Sequence, residues 1–547
     1  GATQIMTGAT LTRPQTPLAD LATRLTRLGL LDRVPDLAGA PDYQGVTWSL
    51  EPTRPGDLHI NLLGAKRAPA AVRRAVLDGA VAVCWSKPNA ELVEELRAQG
   101  VPVLEVNDER RAMSLSSALL HGFPSKDIAM IGITGTNAKT TCTLMTAACL
   151  HRSGMSSAFS CSELAGIDHA TTKPTLTTPD APELQRWLGE VRDSGSTTAV
   201  LEVSSQAISD ARVADVAVGI AVCTTIGVDH LDVHGSEAGY RAVKRSLFEG
   251  LGPDGVAVFH GDDAAVVEVA AGTGAIDIPV GRSPGSVARI TDDALHFGPE
   301  FARLTGRPQA IVPITNPLLR AHVLTNAALA ATAALVAGAN PAGVEAGLAG
   351  YAGLPRRLQV VTRHPFTLVD DMCNPLSVAN TLEDALAPLR RDARRFLAGI
   401  SVRGNRGIPM NAQLGEILGG ILVRLDVDEV HVTRNEDFVG PVDWATDAEE
   451  QALLGALRSW GLEVTVYREI RPLVEALHRS LRRDDLALLI GAHRPAPGVD
   501  MLRELLAGDG RRALTNFAPS ADELLARAAG RSSASITKPT DRIGNRP

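Results

Sequence analysis

The sequence predicts an α/β protein built on parallel sheets, and three observations carry that prediction. The apolar run Asp127–Ile133 passes through a short loop into a helical stretch, Lys139–Arg152, that stops at Gly154, the succession of strand, loop and helix. Strand-length apolar runs then recur at Ala199–Val203, Val216–Thr224 and Val256–His260, with helical patterns between them. Such alternation implies a parallel sheet with both faces covered. Beyond a break near Gly353–Arg357 the rhythm restarts, with strands at Phe366–Asp370, Phe396–Ser401, Glu429–Thr433, Glu463–Tyr467 and Leu486–Ile490. That last third reads as an independent Rossmann-like unit.

The elements before this are shorter. Up to Pro124 short strands mix with helical pieces, such as Ala70–Leu77 followed by Ala80–Cys84. The layout expected is an N-terminal unit over 1–125, a central unit over 126–354, a C-terminal unit over 355–530 and a disordered polar tail over 531–547. A chain of 547 residues has room for three or four domains. The charge balance of 54 Lys+Arg against 62 Asp+Glu, net −8, argues against a duplex-coating protein while leaving space for a local basic pocket. No nucleic-acid partner is expected. With aromatics at 3%, the cores must be mostly Ala, Val and Leu. Six scattered cysteines without a CxxC pair suggest neither a zinc ribbon nor a disulfide framework, and fit a reducing, cytoplasmic compartment. Gly1 to Met6 is read as a cloning remnant, and no signal-peptide core follows it. Ala321 to Ala339 is mostly apolar but carries His322, Thr325 and Asn326; it reads as a buried Ala-rich helix, and no membrane span is expected.

The richest motif is Gly132-Ile133-Thr134-Gly135-Thr136-Asn137-Ala138-Lys139-Thr140-Thr141. Between a strand and a helix, backbone N–H groups and the helix dipole can meet an anion. Lys139 would contact β/γ phosphates and a following Thr hydroxyl would hold Mg²⁺. The general GxxxxGK(S/T) pattern is not met, because Ile133 and Ala138 stand where its glycines belong. Taken alone, the loop also fits a plain strand–turn–helix with a surface lysine. Glu202, at the end of Ala199–Val203, lies where a Mg²⁺ ligand of a neighbouring parallel strand belongs, although solvated strand-end acids are common. Asp229-His230-Leu231-Asp232-Val233-His234-Gly235 offers imidazole and carboxylate ligands, or simply a polar loop. Lys244 on its own reads as a surface lysine.

Taken together, GITGTNxKTT, TTP at Thr177–Pro179, EVSS at Glu202–Ser205, DHLDxHG at Asp229–Gly235 and YxxxK at Tyr240–Lys244 resemble the Mur ligases, most of all the muramoyl-tripeptide synthetases. The likeness is strong over about 126 to 357 and weak on either side. It implies three domains with a central P-loop ATPase sheet, and ATP-dependent amide formation through an acyl phosphate between a small-molecule carboxylate and an amine. By position, Gly135 to Thr141 would cradle the nucleotide. Thr140 or Thr141 with Glu202 would hold one Mg²⁺, and His230 a second. Lys244 matches the lysine that family members carbamylate, which would turn a cation into an anionic metal ligand. Asn326 matches an adenine contact, and Arg357 and Arg406 match arginines near the nucleotide and phosphates. Thr177, Thr178, Ser205 and Arg212 match positions near the acyl donor.

Departures gather at the substrate ends. The family's DSR before PGD is here Ser49-Leu50-Glu51, DYAHNPD is Asp370-Asp371-Met372-Cys373-Asn374-Pro375-Leu376, and GGDRD is Gly404-Asn405-Arg406-Gly407. DNPR has no counterpart where Thr433-Arg434-Asn435-Glu436 lies, and GKGHE becomes Gly491-Ala492-His493-Arg494. The expectation is an active ligase with a changed substrate pair, as in specialised-metabolite assembly. The alternatives are a peptidoglycan ligase acting on UDP-muramoyl peptides and a non-catalytic nucleotide-binding homologue. The presence of Lys139, Glu202, His230 and Lys244 favours an enzyme. Monomer and homodimer stay equally open.

Overall fold

The computed structural model describes residues 18–508, apart from 34, 50, 168–169, 173, 175, 228–235, 317–318, 320, 352, 355–358, 363, 372–380 and 492–497. His230, Arg357, Cys373 and the tail 531–547 lie outside the described residues. Among the described residues three sheets follow one another along the chain, of 5, 11 and 6 strands. The first runs from Leu31–Arg33 to Val103–Val106, the second from Ala129–Thr134 to Ala310–Pro313 and the third from Gln359–Thr362 to Leu486–Ile490.

The middle of the large sheet is parallel. Ala129–Thr134 lies between Thr198–Glu202 and Val218–Cys223, and Val256–His260 follows outward. All four are near-continuous apolar runs, as strands buried on both faces must be. The edges correct the all-parallel expectation. Ser157–Ser160, Ala165–Ile167 and Ala170–Thr172 pair antiparallel on one side, and Ala288–Ile290, Ala294–Phe297 and Ala310–Pro313 do so on the other. These strands of three or four residues are too short for periodicity to show.

Behind the loop-bearing strand, helix Lys139–Arg152 is buried over nearly its whole length. Helix Ala321–Ala337, mostly apolar, packs against it, as a helix with so little polar surface must. Helix Pro341–Ala349 approaches closer still. A side-chain carbon on Gly347 would stand 2.8 Å from the Cys149 backbone, and one on Gly343 would overlap Ser153. Helix Lys139–Arg152 is thereby clamped backbone to backbone, where an added methyl would cost about 1–3 kcal/mol of overpacking.

Candidate active site

The loop after Ala129–Thr134 takes its shape from two residues in left-handed territory. Gly135 has φ +146°, and a Cβ there would collide with Thr224 Oγ1. Ala138, the residue before helix Lys139–Arg152, has φ +66° and ψ 4°. It therefore adopts the glycine-like conformation that its place in the motif suggested, at a cost of about 1 kcal/mol.

Thr224 and Thr225, at the end of the adjacent strand, secure the loop. Thr136 N–H donates to Thr225 O at 2.7 Å, Asn137 N–H to Thr225 Oγ1 at 2.9 Å, and Thr224 Oγ1 to Asn137 O at 2.5 Å. Sequence reasoning missed this pair; a Thr-Thr at a strand end beside a glycine loop was the available signal.

Lys139 folds back over the loop, its ammonium donating to Gly135 O and Thr136 O at 3.0 Å each. The two threonines after it separate. Thr140 Oγ1 donates to Glu202 Oε2 at 3.0 Å, whereas Thr141 is buried without sharing that carboxylate. Glu202 is 2% exposed and also accepts from Ser162 N–H at 2.9 Å and from Ser162 Oγ at 3.2 Å. Ser162 in turn meets Thr177 Oγ1 at 3.0 Å. A carboxylate beside a hydroxyl at the carboxyl end of parallel strands is a donor set that suits Mg²⁺, which takes one or two protein oxygens and completes its shell with phosphate and water. Among the described residues no three His, Cys, Asp or Glu side chains cluster for a metal.

Lys244 is no surface lysine. It is 1% exposed on helix Glu237–Glu249, with Nζ 3.0 Å from Gly135 O, 3.3 Å from Thr134 Oγ1 and 4.7 Å from the Tyr240 ring centroid. Tyr240 Oη meets Thr136 Oγ1 at 3.0 Å, so the YxxxK motif touches the phosphate loop twice. Asn326 is buried on helix Ala321–Ala337.

Next to Glu202, Thr178 Oγ1 donates to Glu202 O at 2.8 Å and accepts from Ser204 N–H at 3.1 Å. Ser205 begins the short helix Ser205–Ser209 and is buried. Arg212 donates to Thr178 O at 2.9 Å and pairs with Asp180 at 3.1 Å and Asp210 at 2.9 Å. Its charge is neutralised by those acids, so its visible work is to hold the Thr177–Asp180 segment in place.

The C-terminal unit is arranged differently. In the Arg403–Gly407 loop, Glu449 accepts from Arg406 N–H at 3.1 Å and Gly407 N–H at 2.8 Å, and the Arg406 side chain is exposed. Burial opposes the ionised Glu449, yet hydrogen bonds from Thr446, Gly407 and Arg406 outweigh it and keep the carboxyl below its usual range. Arg434 binds Glu450 at 2.7 and 3.1 Å and Asp447 at 2.6 Å, and the Glu450 hydrogen bond foremost holds it further into its charged form.

In the N-terminal unit a cleft of about 850 Å³ opens beside Glu51, Thr53, His59, Lys66 and Arg67. Glu51 thus shares this cleft with the cations Lys66, Arg67 and Arg74 and with Asp78.

A loop shaped by Gly135 and Ala138, a buried Thr140–Glu202 pair and a buried Lys244 come together at the ends of parallel strands, an arrangement suited to a bound phosphate and metal. Residues 133–334 match the model of the Mur ligase middle domain. The chain is 33% identical over 382 residues to the UDP-N-acetylmuramoyl-L-alanyl-D-glutamate–2,6-diaminopimelate ligase of Alkalilimnicola ehrlichii, covering 66% of this chain and 74% of that one. It is 30% identical over 396 residues to the UDP-N-acetylmuramyl-tripeptide synthetase of Deinococcus radiodurans, covering 69% and 76%. Among solved structures, the MurF ligase of Thermotoga maritima in complex with ADP aligns with a TM-score of 0.56 at 15% identity, over 85% of this chain and 98% of that one. The chain belongs to the Mur ligase family. No helix among the described residues is long and apolar enough to cross a membrane.

Proposed function

We propose that the protein joins a carboxylate to an amine at the expense of ATP, with an amine pocket rebuilt relative to its relatives, as in specialised-metabolite assembly. The observation that carries the altered amine is Arg434: it lies where the family's DNPR stands, and its guanidinium is committed to Glu450 and Asp447. A cation so neutralised is poorly placed to read an incoming carboxylate.

The donor carboxylate attacks the γ-phosphorus of ATP, ADP departs, and an acyl phosphate forms. The amine then attacks the acyl carbon, and the tetrahedral adduct expels phosphate. Lys139 and the loop hold the phosphates through charge and backbone donors. Thr140 and Glu202 would hold Mg²⁺, which when bound neutralises charge on the transferring group, and His230 and Arg357 keep their proposed parts in the metal and nucleotide sites. Asn326 contacts the adenine, Arg406 the phosphates, and Thr177, Thr178 and Ser205 the donor. Carbamylation of Lys244 suits its surroundings. A carbamate keeps one N–H for Gly135 O and gains oxygens that accept from the Thr134 hydroxyl; intact mass under ¹³CO₂ tests it.

A second reading, a peptidoglycan ligase taking a UDP-muramoyl dipeptide, is favoured by Lys66 and Arg67 on the N-terminal cleft. A mass-spectrometric screen of carboxylate and amine pairs coupled to phosphate release tests the main reading. Calorimetry with UDP-muramoyl dipeptide separates the two: weak or absent binding is expected, and submicromolar affinity returns the protein to cell-wall synthesis.

A further inference from the structure

Ser162 reaches the active site from outside every motif that defines it. Strands Ser157–Ser160 and Ala165–Ile167 pair antiparallel, and Cys161 N–H donates to Leu164 O at 3.0 Å. That bond closes a hairpin whose tip is Ser162 and Glu163. Two-residue hairpin loops have few backbone conformations, so the sheet behind the tip holds it rigidly. Ser160 pairs with Leu201 on the neighbouring parallel strand, which brings the tip beside the end of that strand, where Glu202 stands.

Glu202 is 2% exposed, and an ionised carboxylate so far from water needs hydrogen-bond donors. Among the described residues it has the Thr140 hydroxyl, the Ser162 N–H and the Ser162 hydroxyl. They are not shared equally. All reach Oε2, at 3.0, 2.9 and 3.2 Å, whereas Oε1 meets only the Ser162 hydroxyl, at 3.2 Å. Oε1 is therefore the oxygen with the least already committed, and the Ser162 hydroxyl, touching both, sets how the carboxylate plane turns. The same hydroxyl lies 3.0 Å from Thr177 Oγ1. A proton from Thr177 on that contact leaves the Ser162 proton for Glu202. Thr178 meanwhile fixes the Glu202 carbonyl. A serine that merely filled a hairpin tip would turn its hydroxyl to water; this one commits both of its donors to one buried carboxylate.

We propose that Ser162 is a positioning residue for Mg²⁺ binding: from the hairpin tip it fixes the rotation of the Glu202 carboxylate and keeps it ionised for the cation. The proposal rests on the reading that Glu202 helps to hold Mg²⁺. Removing the hydrogen-bond partner of a metal ligand typically costs about 10–100-fold in metal affinity.

The test is Mn²⁺ binding, as a stand-in for Mg²⁺, to the full chain with saturating ADP, read from the electron paramagnetic resonance signal of the free ion. Ser162→Ala removes the hydroxyl and keeps the N–H. It should weaken Mn²⁺ about tenfold, while metal-free ADP affinity and the urea midpoint stay at wild-type values. Ser162→Thr, which restores a hydroxyl, should retain most of the affinity. Glu202→Gln should weaken Mn²⁺ at least as much as Ser162→Ala. Adding Ser162→Ala to it should cost nothing further, because both changes act through one carboxylate. In turnover, Ser162→Ala should raise the Mg²⁺ concentration for half-maximal rate and recover most of kcat at saturating Mg²⁺. Wild-type Mn²⁺ affinity in Ser162→Ala overturns the proposal, as does a Ser162→Thr variant as weak as the alanine, or a full additional loss in the double variant. An equal loss of metal-free ADP affinity places the effect in the phosphate loop and overturns it as well. Unchanged Mn²⁺ binding in Glu202→Gln would instead remove the metal reading of that carboxylate, and this proposal with it.

Discussion

The phosphate loop and the Thr433–Glu436 turn both lie at the carboxyl ends of parallel strands, and each carries one prominent cation. Lys139 is held by carbonyl oxygens of its own loop, whereas Arg434 is held by carboxylates. Carbonyls fix a charge in place without cancelling it, and carboxylates cancel it. The first arrangement preserves a cation for an anionic ligand; the second converts a cation into a structural rivet. Residue type alone does not distinguish a binding group from a stabilising one. The charge of its neighbours does.

Breaking each cation should therefore have opposite consequences. Lys139→Ala should lower substrate-dependent phosphate release by about 10²–10³-fold, the scale of removing one preorganised charge from a phosphoryl-transfer site, with an unchanged urea midpoint. Wild-type turnover in that variant would remove the loop from the active site.

Arg434→Ala should instead lose about 3 kcal/mol of stability, because Glu450 would be left buried without its counter-charge. Urea unfolding measures the loss. A stable variant with a raised KM for the amine alone would show that Arg434 reads substrate after all.

The N-terminal cleft sharpens the contrast through pH. Unfolded, His59 protonates near 6.5; folded, it does so only near 4. Between these values the unfolded chain binds the extra proton, so stability falls on acidification, in full force above 6.5 and exhausted by about 4. The expected loss is about 3 kcal/mol, and His59→Gln should flatten that part of the profile.

The smallest effect belongs to Ala138. Ala138→Gly should relieve about 1 kcal/mol of left-handed strain while binding ATP as tightly or more tightly. A large loss of affinity would show that the methyl group packs against something the glycine cannot replace.

Much of the central site was legible because it is local. A strand, a ten-residue motif and a helix share one stretch of chain, and the helix Lys139–Arg152 emerges with the bounds that stretch suggested. Even the unusual backbone at Ala138 could be inferred from a missing glycine. What escaped depends on residues that meet only after folding. Ser162 reaches Glu202 from another strand end, and Thr225 reaches Thr136 across 89 positions. The choice of Thr140 over Thr141 required the direction of a side chain. At the N-terminal cleft, the charge of Ser49–Glu51 was read locally, while Lys66 and Arg67 reach the same space from the start of a helix. Nothing in the sequence around His59 singled it out.

The seam between helices Lys139–Arg152 and Pro341–Ala349 also bears on how such a protein changes over generations. Every single-nucleotide change in a glycine codon that alters the residue adds at least one carbon, and Gly343 and Gly347 face the backbone of Ser153 and Cys149 with no room for it. Drift along that seam is opposed at each step, whereas Glu51 and the exposed Arg406 border a cleft or solvent. A lineage can therefore exchange the molecules it joins by single steps while the machinery that activates them stays where it is.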